Sequence, residues 1–204
     1  MHTLGTVRRT VAGVLLAAGE GSRFGRPKAL VEWDGQTLAE RGVTTLRAGG
    51  ADPVLLVTGA VKLEIGIAYT VYNREWRTGM GSSLRAGLRA LPPDADAAVV
   101  ALADQPLVGP EAVARLIAAY QAGAGVAVAT YDGQPRNPVL LAREHWPEVI
   151  VMAVGDQGAR AFLRARPDLV TLVECGDTGR PDDIDTPADL ARIAGPQARP
   201  PAPQ

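Results

Sequence analysis

Two hydrophobic periods alternate along the chain. Short uninterrupted apolar runs occur at Val11–Ala17, Pro53–Thr58, Ile67–Tyr72, Ala97–Ala103, Gly125–Thr130 and Val170–Glu174. Their length and aliphatic content read as buried strands, and Pro138–Leu141 reads as a further short one. Between them the spacing changes to three and four. Thr37–Ala48 carries Leu38, Val43 and Leu46; Gly79–Leu91 carries Leu84, Leu88 and Leu91; and a segment opening at Pro110 carries Val113, Leu116, Ile117 and Tyr120. These stripes predict helices, the second ended by Pro92-Pro93. Asp156 is expected to cap a helix that Pro167 stops, and Pro187–Ile193 reads as a closing helix with proline in its first turn.

Strands alternating with helices predict an α/β, Rossmann-like fold, a mainly parallel sheet with helices on both faces. The pattern is expected to fill residues 1–194 as a single domain. Residues 195–204 hold four prolines and are expected to form a disordered tail. Composition narrows this only a little. Apolar residues make up 47% of the 204 and aromatics 4%, and short aliphatic side chains suit a covered parallel sheet. The formal net charge is −1, from 21 basic and 22 acidic residues, which argues against a nucleic-acid partner. No apolar run is long enough to span a membrane. Arg8 and Arg9 precede Val11–Ala18, but that run leads straight into glycines and reads as a strand, not a signal peptide. The single cysteine, Cys175, is expected to end a strand; it forbids an internal disulfide and fits a cytoplasmic setting. With only His2 and His145, a histidine-rich metal site is out of reach.

The candidate chemistry begins at Leu16-Ala17-Ala18-Gly19-Glu20-Gly21-Ser22-Arg23-Phe24-Gly25-Arg26-Pro27-Lys28, directly after the first strand. Glycines there let backbone N–H groups approach an anion, and Arg23 and Lys28 add positive charge suited to a triphosphate and its pyrophosphate leaving group. The loop is not a Walker loop, because Gly25-Arg26-Pro27-Lys28 replaces Gly-Lys-Ser/Thr. Nor is it a dinucleotide fingerprint, because Gly19, Gly21 and Gly25 are spaced one residue too far, and the second strand ends Val57-Thr58-Gly59 without an acid.

The loop resembles the signature of the nucleotidyltransferases related to molybdenum-cofactor cytidylyl- and guanylyltransferases and to sugar-nucleotide pyrophosphorylases. There the strand is followed by Ala-Ala/Gly-Gly-x-x-x-Arg-Met/Phe-Gly-x-x-Lys, and every position is matched. The resemblance implies that Leu16, Ala17, Ala18, Gly19 and Gly21 face the nucleotide while Arg23 and Lys28 hold its phosphates. Asp104, at the end of an apolar strand in Asp104-Gln105-Pro106, matches a metal-binding Asp-x-Pro. Asp182-Asp183-Ile184-Asp185-Thr186-Pro187 matches Asp-Ile/Val-Asp-Thr-Pro, which makes Asp185 the first choice for a second metal ligand and Asp183 the second choice; capping of the last helix is compatible with either. Asn73–Leu84 resembles a further stretch, with Arg74 in place of a proline, and implies that Gly79, Ser82 and Ser83 meet base or ribose. Gly133–Leu140 and Gly155–Arg160 resemble the acceptor half of the molybdenum branch, with Arg136-Asn137-Pro138 where Gly-His-Pro is usual. They mark Asn137, Asp156 and Arg160 as acceptor contacts.

By this resemblance the chain is expected to use Mg²⁺ on Asp104 and Asp185. Arg23, Lys28 and Asp104 are the catalytic groups that move an NMP from a nucleoside triphosphate to a small phosphorylated acceptor. Leu16-Ala17-Ala18-Gly19 is closer to the cytidylyl than the guanylyl branch, so CTP and molybdopterin are favoured, GTP second and a sugar or polyol phosphate acceptor third. Two alternatives stay open. Some relatives of this fold are described as NAD(P)H-dependent oxidoreductases of a pigment from nicotine breakdown, and an inactive nucleotide-binding partner of a molybdenum enzyme is the other.

Overall fold

The computed structural model describes residues 9–194, so the expected tail at 195–204 lies outside them. Among the described residues nine strands and six α-helices form in chain order. They are β1 (Val11–Leu16), β2 (Glu32–Trp33), β3 (Gln36–Thr37), α1 (Leu38–Ala48), β4 (Val54–Thr58), β5 (Tyr69–Tyr72), α2 (Met80–Ala90), β6 (Ala97–Leu102), α3 (Pro110–Gln121), β7 (Val126–Tyr131), β8 (Gln134–Ala142), α4 (Trp146–Met152), α5 (Arg160–Ala165), β9 (Val170–Glu174) and α6 (Pro187–Ala194).

Seven strands make one sheet in the order β5-β4-β1-β6-β8-β7-β9, and β2-β3 form a separate antiparallel ribbon. Every pairing in the large sheet is parallel except those of β8, which runs antiparallel to both β6 and β7. This is the mostly parallel α/β sheet that the alternation of periods predicts. All six residues of β1 are buried, because helices cover both of its faces. Val11 and Leu15 point to the side where α1 contributes Val43 and Leu46 and α3 contributes Val113 and Leu116. Ala12, Val14 and Leu16 point to the other, where α2 contributes Leu84 and Leu88, α4 Trp146 and Val149, and α5 Phe162. α1 and α2 each lie tight on β1 through a glycine. A Cβ on Gly42 of α1 would stand 2.7 Å from Leu15, and one on Gly87 of α2 2.6 Å from Val14, separations that carbon atoms in a packed core do not tolerate.

Three expectations need correction, and two features were not foreseen. β8 is nine residues long, not a short strand, because its first residues, Gln134 to Arg136, are exposed and carry no apolar signature. β5 is an edge strand with Tyr69 and Tyr72 exposed, not a buried one. Asp156 does not cap its own helix: α5 starts only at Arg160, and Asp156 sits in the preceding 3₁₀ turn. The β2–β3 ribbon and α4 had no counterpart in the sequence reading. Cys175 does end a strand, directly after β9, and is fully buried. Among the described residues no helix is long and apolar enough to cross a membrane.

Candidate active site

The carboxyl ends of β1, β4 and β6 lie side by side, the place where open α/β sheets bind ligands. The backbone there is knitted together. Ala17 N–H donates to Val57 at 2.9 Å, Ala60 N–H to Ala18 at 2.9 Å, and Ala103 N–H to Leu16 at 3.1 Å. Ala17 and Ala18 are thereby buried, and the chain emerges at Gly19, where an added Cβ would meet nothing within 4 Å. Gly21 then turns with φ +66°, and its carbonyl accepts from Phe24 N–H at 2.9 Å and Gly25 N–H at 2.8 Å. A Cβ at Gly21 would lie 2.0 Å from the Arg26 carbonyl oxygen, so only glycine closes this loop. Phe24 anchors it by packing with Val31, Leu38 and Ile184.

Three segments far apart in sequence meet at Lys28. Its Nζ donates to Asp104 Oδ2 at 2.8 Å and to Asp185 Oδ1 at 2.7 Å, and Arg23 Nη2 donates to the same Asp185 Oδ1 at 2.9 Å. Burial opposes the charge on Lys28, yet attraction to Asp104 and Asp185 outweighs it, and the ammonium ends above its ordinary pKa of 10.5. Asp104 lies just past the end of β6, after Ala103. Asp185 reaches it because Ile184 N–H donates to the Asp104 carbonyl at 2.8 Å. Asp183 lies beside them, its Oδ1 accepting from Gln105 Nε2 at 2.9 Å. Partial burial and the charges on Asp104 and Asp185 push the Asp183 carboxyl above its ordinary range, against the Gln105 hydrogen bond and Lys28.

Lys28 and Asp104 floor an open cleft of ≈ 780 Å³, the size of a small-molecule site. One wall is Leu16, Ala17, Ala18, Gly19, Gly21 and Arg23; the other is Trp76, Arg77, Gly79, Met80, Ser83 and Asp156. The second wall is organised by the buried Asn73, whose Nδ2 donates to Ser82 Oγ at 2.8 Å and Ser83 Oγ at 3.1 Å. Ser82 spends its hydroxyl on the carbonyls of Glu75 and Gly79 and is not among the cleft-lining residues. Gly79 takes φ +105°, where a Cβ would sit 2.4 Å from the Gly155 backbone. This close approach brings Asp156 Oδ1 to 3.3 Å from Met80 N–H, so Asp156 caps α2 from within the same wall.

The structure therefore gathers Leu16, Ala17, Ala18, Gly19, Gly21, Arg23, Lys28, Gly79, Ser83, Asp104 and Asp156 on one cleft, with Asp185 bonded to its floor. Asn137, half-buried on β8, and Arg160, exposed at the start of α5, are not among its lining residues. Sequence reasoning passed over Trp76, Arg77 and Met80, although Trp76 lies within the matched Asn73–Leu84 stretch. Arg77 stacks on its ring at 4.3 Å.

The set suits a divalent cation together with a phosphate ligand. Two carboxylates converge on one Lys28 ammonium, so one small cation can reach both. Among the described residues no three His, Cys, Asp or Glu side chains are grouped to hold a metal unaided. Mg²⁺ takes one or two carboxylates and completes its shell with water and phosphate oxygens.

The fold and this cleft define a nucleotide-transferring α/β domain. Residues 13–170 match the model of the MobA-like NTP transferase domain, and the chain belongs to that family. A protein of Paenarthrobacter nicotinovorans named nicotine blue oxidoreductase is 37% identical over 90% of this chain and 96% of its own length. Purine catabolism protein PucB of Bacillus subtilis is 31% identical over 89% of this chain and 94% of its own. The crystal structure of Rv0371c from Mycobacterium tuberculosis in complex with manganese superposes with a TM-score of 0.75 at 25% identity, covering 92% of this chain and 100% of that one.

Proposed function

We propose that this protein transfers the NMP group of a nucleoside triphosphate, CTP in preference to GTP, to a small phosphorylated acceptor, with molybdopterin the favoured acceptor and pyrophosphate released. The observation that carries this reading is the Lys28–Asp104–Asp185 cluster at the end of the glycine-rich loop. Arg23 and Lys28 against Asp104 and Asp185 leave no net positive charge for a triphosphate. A divalent cation must therefore arrive with the nucleotide, and the manganese complex of Rv0371c supports a cation here. When bound, Mg²⁺ polarises phosphate oxygens and spreads the developing negative charge.

The protein's own groups do the rest. Backbone N–H groups from Gly19 onward hold the phosphates, while Arg23 and Lys28 neutralise charge on the departing pyrophosphate. An acceptor phosphate oxygen forms the new bond to the α-phosphorus as the bond to the bridging oxygen breaks and its electron pair leaves with pyrophosphate. That oxygen is already anionic, so no general base is required, and positioning dominates. Asp156, on the far wall, is an acceptor contact in this scheme; Asn137 and Arg160 join it only if the acceptor extends past the cleft.

A second reading is favoured by the relative named for oxidoreduction of nicotine blue: the cleft holds the pyrophosphate of NAD(P)H. A thermal-shift panel of CTP, GTP, ATP, UTP, NADH and NADPH with and without Mg²⁺ separates them. A ligand at 100 times its Kd adds about 2.7 kcal/mol, and each kcal/mol is worth roughly 2–4 °C at this chain length. The expected result is a Mg²⁺-dependent rise with one NTP. A rise with a nicotinamide dinucleotide alone, independent of Mg²⁺, overturns the transferase.

A further inference from the structure

Gln105 is 7% exposed, yet its two polar atoms fare differently. Nε2 donates to Asp183 Oδ1 at 2.9 Å and to the Pro181 carbonyl at 3.3 Å. Oε1 is buried with no hydrogen-bond partner. Gln105 also borders a small cavity among Ala101, Val108, Val113 and Pro138. An unpaired buried carbonyl destabilises a fold, and an apolar side chain of the same shape would avoid it. What the amide does achieve is local. The segment carrying Asp185 has no strand or helix of its own before α6. It is fastened to the loop after β6 by Gln105 Nε2 at residues 181 and 183, by Ile184 N–H to the Asp104 carbonyl at 2.8 Å, and by Arg180 N–H to the Leu107 carbonyl at 3.0 Å. Of these links, only those of Gln105 are made by a side chain.

We infer that Gln105 is a positioning residue: by holding Pro181 and Asp183 it sets the distance between the Asp104 and Asp185 carboxylates, and so the affinity of the site for a divalent cation. It touches neither nucleotide nor cation. The inference rests on the proposed placement of the cation on Asp104 and Asp185. Groups that hydrogen-bond around a metal site in this indirect way typically change metal affinity by roughly 10–100-fold when lost.

The test is Mn²⁺ binding, followed by electron paramagnetic resonance with CTP or GTP present, on the parent protein and on Gln105→Met and Gln105→Glu variants. Gln105→Met nearly preserves shape and removes the orphaned carbonyl. It is expected to melt at or above the parent temperature while binding Mn²⁺ on the order of 10–100-fold more weakly. Gln105→Glu sets a carboxylate against Asp183 and is expected to bind more weakly still. The double variant Q105E/D183N restores a donor and an acceptor with the roles reversed, and is expected to recover part of the affinity. A Gln105→Met protein with parental Mn²⁺ affinity overturns the inference and leaves the proposed function standing. A parent protein that binds no Mn²⁺ with either nucleotide overturns both. Loss of affinity only in step with loss of thermal stability identifies a merely structural residue and also overturns the inference.

Discussion

At Lys28 two forces of opposite sign meet in one side chain. Burial lowers its pKa; Asp104 and Asp185 raise it by more. Because its pKa is raised on folding, the stability it contributes is fully present below pH 10.5 and is lost as pH climbs through the higher folded value. Melting curves of the parent and a Lys28→Met variant are therefore expected to differ at pH 8 and to converge on the alkaline side of 10.5. A gap that widens there would contradict the ion-pair assignment. Function is more demanding than stability at this position. Lys28→Ala and Asp104→Ala are each expected to lower the rate of pyrophosphate release by about 10²–10³, with the circular-dichroism spectrum of the parent. Full turnover in either would remove that residue from the site. Much of this was legible in the sequence. The glycine-rich loop and the two acids at strand or helix ends are local patterns, and local patterns survive in one dimension. Gln105 was invisible because its meaning lies in two partners more than seventy residues downstream, and nothing near it in sequence differs from an ordinary turn.

At the scale of elements, α2 is the helix that shapes the cleft, and it is held at its first turn by two contacts from residues 155 and 156. Asp156→Ala removes the acceptor facing Met80 N–H and is expected to cost about 0.5–1 kcal/mol, the lower part of the range for a helix cap. Gly79→Ala is the harsher change, because φ is +105° and the new Cβ would meet the Gly155 backbone. About 1–3 kcal/mol is expected from the backbone conformation alone, read as a fall in melting temperature. A Gly79→Ala protein as stable as the parent would show that the two segments are not packed as described. The periodicity named α2 and its partner strands correctly because their buried faces are long. It missed the β2–β3 ribbon because each strand is two residues, too few for a period. It took Ile67–Tyr72 for a buried strand because valine and tyrosine look alike at an edge and at a centre. Only the order β5-β4-β1 tells them apart.

Over the whole molecule, the two large cores on either side of the sheet are independent of the site's last contributor. A third, small cluster joins Val31, Leu38 and Ile184, with Leu190 and Ile193 against it. The chain from Arg180 onward thus serves both as a lid on Val31 and Leu38 and as the carrier of Asp185. A protein ended before Arg180 is expected to keep the seven-stranded sheet, melt at a lower temperature and no longer be stabilised by Mg²⁺ with nucleotide. Retention of that stabilisation would mean the cation does not need Asp185.

The strand order also sets a timetable for biosynthesis. β1 emerges from the ribosome first among the sheet strands, but its two neighbours are β4 and β6, with Val11 aligned to Ala97. A nascent chain must shelter an entirely apolar strand until β6 has been made. The wait is longer for Lys28. It is made before either acid, gains Asp104 just after β6, and meets Asp185 only as α6 is about to be translated. The centre of the sheet is thus complete once β6 is made, while the cluster on Lys28 closes only after every strand of the sheet has been translated.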